Sequence, residues 1–230
     1  MMPHARAANF FFNTLGKINY PVVVQSKSNY GSTSPIAMAF TNNVTAGNTL
    51  IACGGYNWGT NPTISDTRGN TWVQDFLWAG DGTGWVGIVC FRASNVSGGA
   101  TTVNFDTTSG AGQHKNMVVI EVSGLTNSSP FDKSNRATGS GASITSTTTA
   151  VAQSCELVLA YAIDWNNYNT YTIPSGWTAI NYVQPSSGQY ISVLMEQNAK
   201  TGLSGNQSAT VTRSAGSGTW YVLVTTYKCS

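Results

Sequence analysis

Charged residues are scarce in this chain. Asp, Glu, Lys and Arg together make up 9% of its 230 residues, and the basic ones are scattered singly rather than gathered in a stripe. Proteins that bind nucleic acid need clustered Lys and Arg to neutralise phosphates, so the composition argues against that class of partner. Apolar runs are short as well, and none approaches the roughly 18 residues that mark a membrane-spanning helix. No membrane span is predicted.

A secretion signal is also missing from the sequence pattern. The first 20 residues, MMPHARAANFFFNTLGKINY, contain a single apolar block, formed by Phe10, Phe11 and Phe12. That block is shorter than the roughly 7 to 15 apolar residues of a signal peptide. We therefore expect no secretion signal, and we interpret residues 1–20 as an N-terminal arm that precedes the folded body.

The four cysteines show no metal-binding spacing. Cys53, Cys90, Cys155 and Cys229 lie far apart, with no CxxC pair and no neighbouring pair of histidines, so zinc binding is not expected. Cys53 and Cys90 sit within apolar strand patterns, where a cysteine usually acts as a small buried hydrophobic residue. One disulfide stays open as an alternative, but we expect free thiols that contribute little to folding, as in a reducing cytoplasm.

Glycine, serine, threonine, asparagine and aromatic residues are abundant instead. The chain has 24 Gly, and aromatic residues make up 11% of it. This mixture is typical of many short strands joined by turns, and no stretch shows sustained helical periodicity. The run MVVIEV at residues 117–122 reads as a strand that stops at Gly124, and WYVLVTTYK at residues 220–228 closes the chain in the same way. The sequence predicts an all-β protein.

The sequence also contains an internal duplication. The triplet KSN occurs at residues 27–29 and again at 133–135, and TLIACGGYNW at 49–58 aligns with ELVLAYAIDW at 156–165. Offsets between matched segments stay between 104 and 108 residues along the chain. Such constancy indicates two copies of one structural plan.

We predict an antiparallel β-sandwich of jelly-roll or lectin-like type, built from two similar half-repeats. The half-repeats span about residues 21–127 and 128–230. Only TNSSPF separates Leu125 from Asp132, which is too short for a flexible linker. A single sandwich over residues 21–230 is therefore favoured over two small ones.

Several segments resemble a known β-sandwich domain. NVTAGNTLIACGGY, ISDTRGNTWVQ, FRASNVSGGATTVNF and IPSGWTAI are similar to the turn and strand signatures of a domain that recurs in uncharacterised bacterial surface proteins and in bacteriophage proteins. The resemblance covers about residues 22–228. It implies the sandwich fold, and because its signatures are turns and strands it carries over no catalytic or metal-binding position. The cysteines and the N-terminal arm depart from the family's pattern.

Catalytic groups are hard to assemble from this sequence. A glycosidase needs two carboxylates roughly 5 to 10 Å apart, and the candidates Glu121 and Glu196 lie on different strands that the duplication does not align. Glu121 shares a face with Met117 and Val119, which we interpret as the solvent face because a buried carboxylate is costly unless paired. His114 is interpreted as a solvated loop residue. We predict no enzyme activity and no catalytic, cofactor-binding or metal-binding residues.

Aromatic residues follow two strands that the duplication matches. Tyr56 and Trp58 come at the end of the first, and Trp165, Tyr168 and Tyr171 follow its repeat. Exposed Trp and Tyr beside Asn and Asp combine flat apolar area with polar groups, as sugar-binding and protein-binding surfaces require. We take these five residues as the candidate ligand or partner contact. The alternative is that Trp58 and Trp165 cap the two ends of the core.

The pattern favours a non-catalytic structural or interaction protein located in a virion, such as a phage capsid decoration or tail-associated protein. Phage proteins assemble in the cytoplasm and leave by lysis, which reconciles an extracellular type of composition with the missing signal. Expected partners are other virion proteins and further copies of the chain, with Phe10, Phe11 and Phe12 as the assembly contact, and a cell-surface glycan in addition. The alternative is an extracellular or cell-surface carbohydrate-binding module or lectin-like domain. A glycosidase is the least favoured class.

Overall fold

The structure, a computed structural model, describes residues 19–57, 60–80, 86–108, 114–164, 170–184, 191–214 and 218–230. The arm predicted to carry the assembly contact, with Phe10, Phe11 and Phe12, lies outside these residues apart from its last two positions. The described residues form sixteen strands and no helix, and therefore no helix long and apolar enough to cross a membrane. The all-β prediction is confirmed.

The strands follow the predicted alternation of short apolar runs and turns. They are β1 Val22–Gly31, β2 Ile36–Ala39, β3 Thr49–Tyr56, β4 Thr60–Asp66, β5 Val73–Trp78, β6 Gly87–Ala93, β7 Thr102–Thr108, β8 Lys115–Ser123, β9 Phe131–Gly139, β10 Ser143–Ala150, β11 Glu156–Asp164, β12 Tyr171–Thr172, β13 Trp177–Val183, β14 Ile191–Gln197, β15 Asn206–Arg213 and β16 Trp220–Lys228.

The strands pair into four antiparallel sheets, two in each half of the chain. The first half forms a five-stranded sheet in the order β1-β8-β3-β6-β5 and a three-stranded sheet in the order β2-β7-β4. The second half forms β9-β16-β11-β14-β13 and β10-β15-β12. Adding eight to each strand number of the first half gives the second, so the two halves share one topology. The order is that of an eight-stranded jelly roll in which the fifth strand has joined the edge of the larger sheet.

The repeated KSN triplet has the same role in both halves. The Asn29 side chain donates from Nδ2 to the carbonyl oxygen of Ala37 on β2, at 2.8 Å. Its counterpart Asn135 donates to the carbonyl oxygen of Thr147 on β10, at 2.6 Å. In each half the asparagine therefore ties the edge of the larger sheet to the smaller sheet.

Each half encloses its own apolar core between its two sheets. The first core includes Ile36, Leu50, Val89, Phe105 and Val119. The second core includes Ile144, Val158, Val193, Val211 and Val222. Each core buries the apolar face of a small sheet, which provides most of the free energy of folding in a β-sandwich.

A third apolar layer joins the two halves, because the larger sheets pack face to face. It includes Ile51, Ile88, Ile120, Leu157, Leu159 and Leu223. Four sheets are therefore stacked in the order small, large, large, small, where we expected the two layers of a single sandwich. The reason is that strands such as β3, buried along its whole length, are apolar on both faces and need cover on both. The division of these layers into domains stays a prediction.

The alignment of β3 with β11 at an offset of 107 residues is wrong by one position. Strand pairing leads from Asn29 across β8 to Gly54, and from Asn135 across β16 to Ala160, an offset of 106 in both cases. A slip of one residue moves a side chain to the other face of a sheet. The alignment of Trp58 with Trp165 used the wrong register, and both residues lie outside the described residues.

The four cysteines form two disulfides, so the expectation of free thiols is wrong. Cys53 and Cys90 are directly opposite each other on β3 and β6 and face the layer between the halves. Cys155, just before β11, is joined to Cys229, next to the end of the chain. Sequence spacing did not reveal either pair, because the partners are 37 and 74 residues apart and meet only through strand pairing.

Candidate functional site

The ends of β3 and β11, from which the predicted aromatic contacts leave, lie together. The side-chain oxygen of Asn116 accepts a hydrogen bond from the backbone N–H of Gly55 on β3, at 3.2 Å, and another from the hydroxyl of Tyr161 on β11. A Cβ atom at Gly55 would overlap the side chain of Ile163, so glycine allows this close approach. We call this end of the molecule the loop end.

The aromatic residues proposed as a contact surface are not exposed where the structure describes them. Tyr56 points into the first core, and its ring lies over Gly87, where a Cβ atom would overlap it. Tyr171 is buried in the second core, and its hydroxyl donates to the carbonyl oxygen of Ile191 at 3.0 Å. Alternation along the strands places both rings inward. Trp58, Trp165 and Tyr168 lie outside the described residues.

A small cavity opens beside Tyr171 at the mouth of the second jelly roll. Its volume is about 230 Å³, and it is lined by Thr170, Tyr171, Tyr182, Gln184 and Ile191. The Tyr182 side chain is 42% exposed, so its ring forms an open wall of the cavity. Sequence analysis missed Tyr182 and Gln184, because their strand contributes to this site only after β12 and β14 are placed beside it.

A polar cluster occupies the same end of the first half. The Lys115 ammonium group is buried and donates to Ser34 Oγ at 2.8 Å and to Asp106 Oδ1 at 3.3 Å. Ser34 in turn donates to Asp106 Oδ1 at 2.6 Å. Burial raises the pKa of Asp106, but the hydrogen bonds from Ser34, the Thr107 N–H and Lys115 together hold it below its ordinary value. A carboxylate with a lowered pKa is a poor general base for the serine, so the cluster joins loops.

His114 is half-buried rather than solvated as expected. Its Nδ1 lies 2.6 Å from the Tyr30 hydroxyl, and the two rings stack with centroids 5.4 Å apart. Its backbone N–H donates to Asn57 Oδ1 at 2.6 Å. Burial lowers the pKa of His114, so the neutral imidazole is favoured at neutral pH. The residue closes the gap between β1 and β8 instead of facing water.

A buried ion pair stands at the loop end of the second half. Arg213 Nη1 contacts Asp164 Oδ2 at 2.8 Å, and neither side chain is exposed to solvent. The guanidinium also donates to the carbonyl oxygens of Ser140 and Gly218, each at 2.9 Å, and lies 5.3 Å from the ring centroid of Trp220. One arginine therefore holds together the ends of four strands.

The two glutamates considered for catalysis are in different environments and do not form a pair. Glu121 is buried, and its carboxylate accepts hydrogen bonds from Gln25 Nε2 at 2.6 Å, the Thr45 N–H at 2.8 Å and Asn48 Nδ2 at 2.5 Å. Its assignment to the solvent face is wrong, because the face it shares with its alternate neighbours is the core of the first jelly roll. Glu196, in the other half, pairs with Lys200 at 2.8 Å.

A second pair of carboxylates, Asp132 and Glu156, was missed by sequence analysis. Asp132 accepts from the Ala152 N–H at 2.7 Å and contacts Lys133 Nζ at 3.2 Å. Glu156 is buried and accepts from the Gln153 N–H at 3.3 Å. Burial, and then the charge of Asp132, raise the pKa of Glu156 to about 7. The pair lies beside Cys155, at the end of the molecule opposite the loop end.

The first described residue, the chain end and the connection between the halves converge at that opposite end. The Asn19 N–H donates to the carbonyl oxygen of Ser230 at 3.4 Å, and the Ser230 N–H donates to that of Gly124 at 3.0 Å. A Cβ atom at Gly124 would overlap the carbonyl oxygen of Tyr20. An open cavity of about 760 Å³ lies here, bounded also by Val22.

No family model, curated protein or solved structure matches this chain. The resemblance to the bacterial and bacteriophage β-sandwich domain stays a prediction. Within the ranges that the structure describes, no group of three or more His, Cys, Asp or Glu side chains is placed to hold a metal ion.

Proposed function

We propose that this chain is a non-catalytic structural and interaction protein of a virion, which assembles through the end of the molecule where its N-terminal arm begins. The observation that carries the proposal is a strip of apolar side chains at that end. Tyr20, Val22 and Val24 are 55%, 52% and 49% exposed. They alternate along the chain, so they stand on one face at the start of β1, beside the open cavity.

The strip has the properties of a protein contact. Exposed apolar residues that stand together, rather than singly, mark surfaces that a partner covers. Among the described strands β1 pairs with β8 alone, so the strip lies on the edge of a sheet, where a partner segment can add to the strand. Residues 1–18 continue directly from this point and include Phe10, Phe11 and Phe12. Burial of one phenylalanine contributes about 1.5 to 3 kcal/mol.

The architecture and the disulfides support the same proposal. Jelly rolls are a recurrent architecture of viral capsid proteins and of lectins, and this argument is one of analogy, since a fold by itself does not specify a function. Disulfides persist on virions and cell surfaces, and both bridges of this chain are compatible with assembly before lysis and oxidation after it.

The experiment compares self-association of three proteins by light scattering coupled to size-exclusion chromatography. They are the full chain, a variant without residues 1–18, and the double variant Val22→Ser, Val24→Ser. We expect both changes to abolish self-association while the melting temperature stays nearly constant. The control is Val73→Ser, Leu77→Ser, which removes the exposed apolar residues of β5 at the opposite edge of the same sheet. Association that persists in both test variants would refute the proposal.

A carbohydrate-binding module is the second candidate function. It is favoured by the cavity beside Tyr182, which joins an exposed aromatic ring to an amide and a hydroxyl group. The genes beside this one distinguish the candidates. Capsid, portal or tail genes as neighbours support the virion protein, whereas genes for polysaccharide degradation support the carbohydrate-binding module.

A further inference from the structure

We infer that the cavity lined by Thr170, Tyr171, Tyr182, Gln184 and Ile191 binds a single neutral hexopyranose ring. This inference rests on the second candidate function and names its site and ligand class. The cavity lies at the mouth of the second jelly roll, a place where β-barrels and sandwiches commonly bind ligands. Its volume of about 230 Å³ is below the roughly 300 to 1,000 Å³ of sites for drug-sized molecules, which suits one sugar ring.

The walls combine a flat apolar surface with polar groups. The Tyr182 ring is 42% exposed, so one face is available to stack on the C–H face of a pyranose. Thr170 and Gln184 are exposed at the rim and provide a hydroxyl group and an amide for sugar hydroxyls. Ile191 forms part of the floor together with Tyr171, whose hydroxyl is already engaged by the Ile191 carbonyl oxygen. The floor is thus apolar and the rim polar.

The charge of the site favours a neutral ligand. None of the described residues that line the cavity is charged. The ionic groups nearest in the fold, Asp164 and Arg213, are buried and neutralise each other at 2.8 Å. A uronic acid, a sialic acid or a phosphate would find no cation in these walls to offset its desolvation.

The aromatic wall is held in place by the other half of the molecule. The Tyr182 carbonyl oxygen accepts from Ser28 Oγ at 3.3 Å. The neighbouring Asn181 side chain accepts from Ser28 Oγ and donates to Ser26 Oγ, each at 3.1 Å. These bonds tie β13 to β1, so the strand that carries the ring is ordered before a ligand arrives, which reduces the entropy lost on binding.

The equivalent mouth of the first half does not offer the same space. There the Tyr56 ring is buried and lies against the backbone of Gly87. An aromatic ring thus occupies the mouth of the first jelly roll, whereas the ring of Tyr182 stands at the side of the second. We expect one such site for each chain, in its second half.

The test uses the full chain and four neutral sugars, namely glucose, galactose, mannose and N-acetylglucosamine, in saturation-transfer NMR and titration. We expect at least one to bind in the millimolar range and Tyr182→Ala to weaken it about tenfold. Tyr182→Phe should keep most of the affinity, because stacking needs the ring and not the hydroxyl. Tyr20→Ala, at an exposed tyrosine beside the opposite end, is the matched control and should change nothing.

The outcomes separate this site from the broader function. If wild type and Tyr182→Ala bind the same sugar equally, carbohydrate binding stands and the proposed site is refuted. If none of the four sugars binds, the site is refuted, and retention of the wild type on insoluble polysaccharides then decides whether carbohydrate binding survives elsewhere on the chain. Tighter binding of glucuronic acid than of glucose would refute the neutral ligand class.

Discussion

The two halves share a topology but hold their equivalent connections with different chemistry. In the first half the connection between β2 and β3 is held by Glu121, whose carboxylate accepts from Thr45, Asn48 and Gln25, all uncharged donors. In the second half the connection between β10 and β11 is held by two carboxylates, Asp132 and Glu156. Repetition of a fold therefore does not repeat its electrostatics, and the two halves should respond differently to pH.

The loop end shows the same divergence. The second half has the fully buried pair of Arg213 and Asp164. The first half has Lys115 with Asp106, whose side chain is 37% exposed. A charge that loses its partner in a dry site suffers the full desolvation penalty, whereas a partly exposed one is compensated by water.

The largest effect is expected for Arg213→Met. This change leaves the buried Asp164 carboxylate without its guanidinium and should lower the free energy of unfolding by about 3 to 5 kcal/mol. Lys115→Met should cost only about 1 to 2 kcal/mol, since water reaches Asp106. Urea denaturation measures both. The double variant Arg213→Met, Asp164→Leu is the control and should recover most of the loss, and equal losses in the two single variants would contradict the comparison.

Removal of the disulfides should have the next largest effect. The bridge Cys155–Cys229 closes a loop of 74 residues and Cys53–Cys90 a loop of 37, so each should contribute about 2 to 4 kcal/mol, with the longer loop worth about 0.6 kcal/mol more. Replacement of each pair by alanine, followed by calorimetry, compares the halves. At about 2 to 4 °C for each kcal/mol in a chain of this size, each change should lower the melting temperature by about 5 to 15 °C. An unchanged melting temperature would show that a bridge is dispensable.

The pH dependence of stability should come from the second half. The folded state raises the pKa of Glu156 from 4.5 to about 7, so it holds a proton that the unfolded chain has released. The stabilisation is fully present below about pH 4.5 and is lost as the pH rises to about 7, by up to about 3 kcal/mol. The lowered pKa of Asp132 acts in the opposite direction, but only as the pH falls through its own, more acidic range.

Denaturation midpoints at about pH 5 and about pH 8 test this expectation. Glu156→Gln should remove the fall in stability between the two conditions, because the amide does not titrate. Asp132→Asn should reduce the fall without removing it, since burial is the larger cause of the raised pKa. A pH dependence that is the same in Glu156→Gln and in the wild type would place its origin elsewhere.

The smallest effect tests where the halves should agree. Asn29→Ala and Asn135→Ala each remove one hydrogen bond to a carbonyl group of the neighbouring sheet. We expect each to cost about 1 kcal/mol and the two values to differ by less than about 0.5 kcal/mol. A clear difference in denaturant midpoint would show that the repeated KSN triplet is not equivalent in the two jelly rolls.

The duplication could be predicted because it is written in local patterns. Short apolar runs, turns rich in Gly, Ser and Asn, and the repeated KSN triplet specify strands and their order along the chain. The same patterns failed at β3. Leu50, Ile51 and Ala52 are all apolar, since both faces of the strand are covered, and alternation therefore could not show which side chains face which core. The alignment with β11 slipped by one residue for that reason.

The chain alone thus determined an all-β fold in two copies, because backbone propensity and turn chemistry act over a few residues. Contacts between distant strands decided the rest. Burial of Glu121 depends on donors that come from β1 and from the connection after β2, and Cys53 meets Cys90 only through the register of β3 and β6. The cavity beside Tyr182 exists because β12, β13 and β14 end together, which depends on pairing across sheets and which no local pattern encodes.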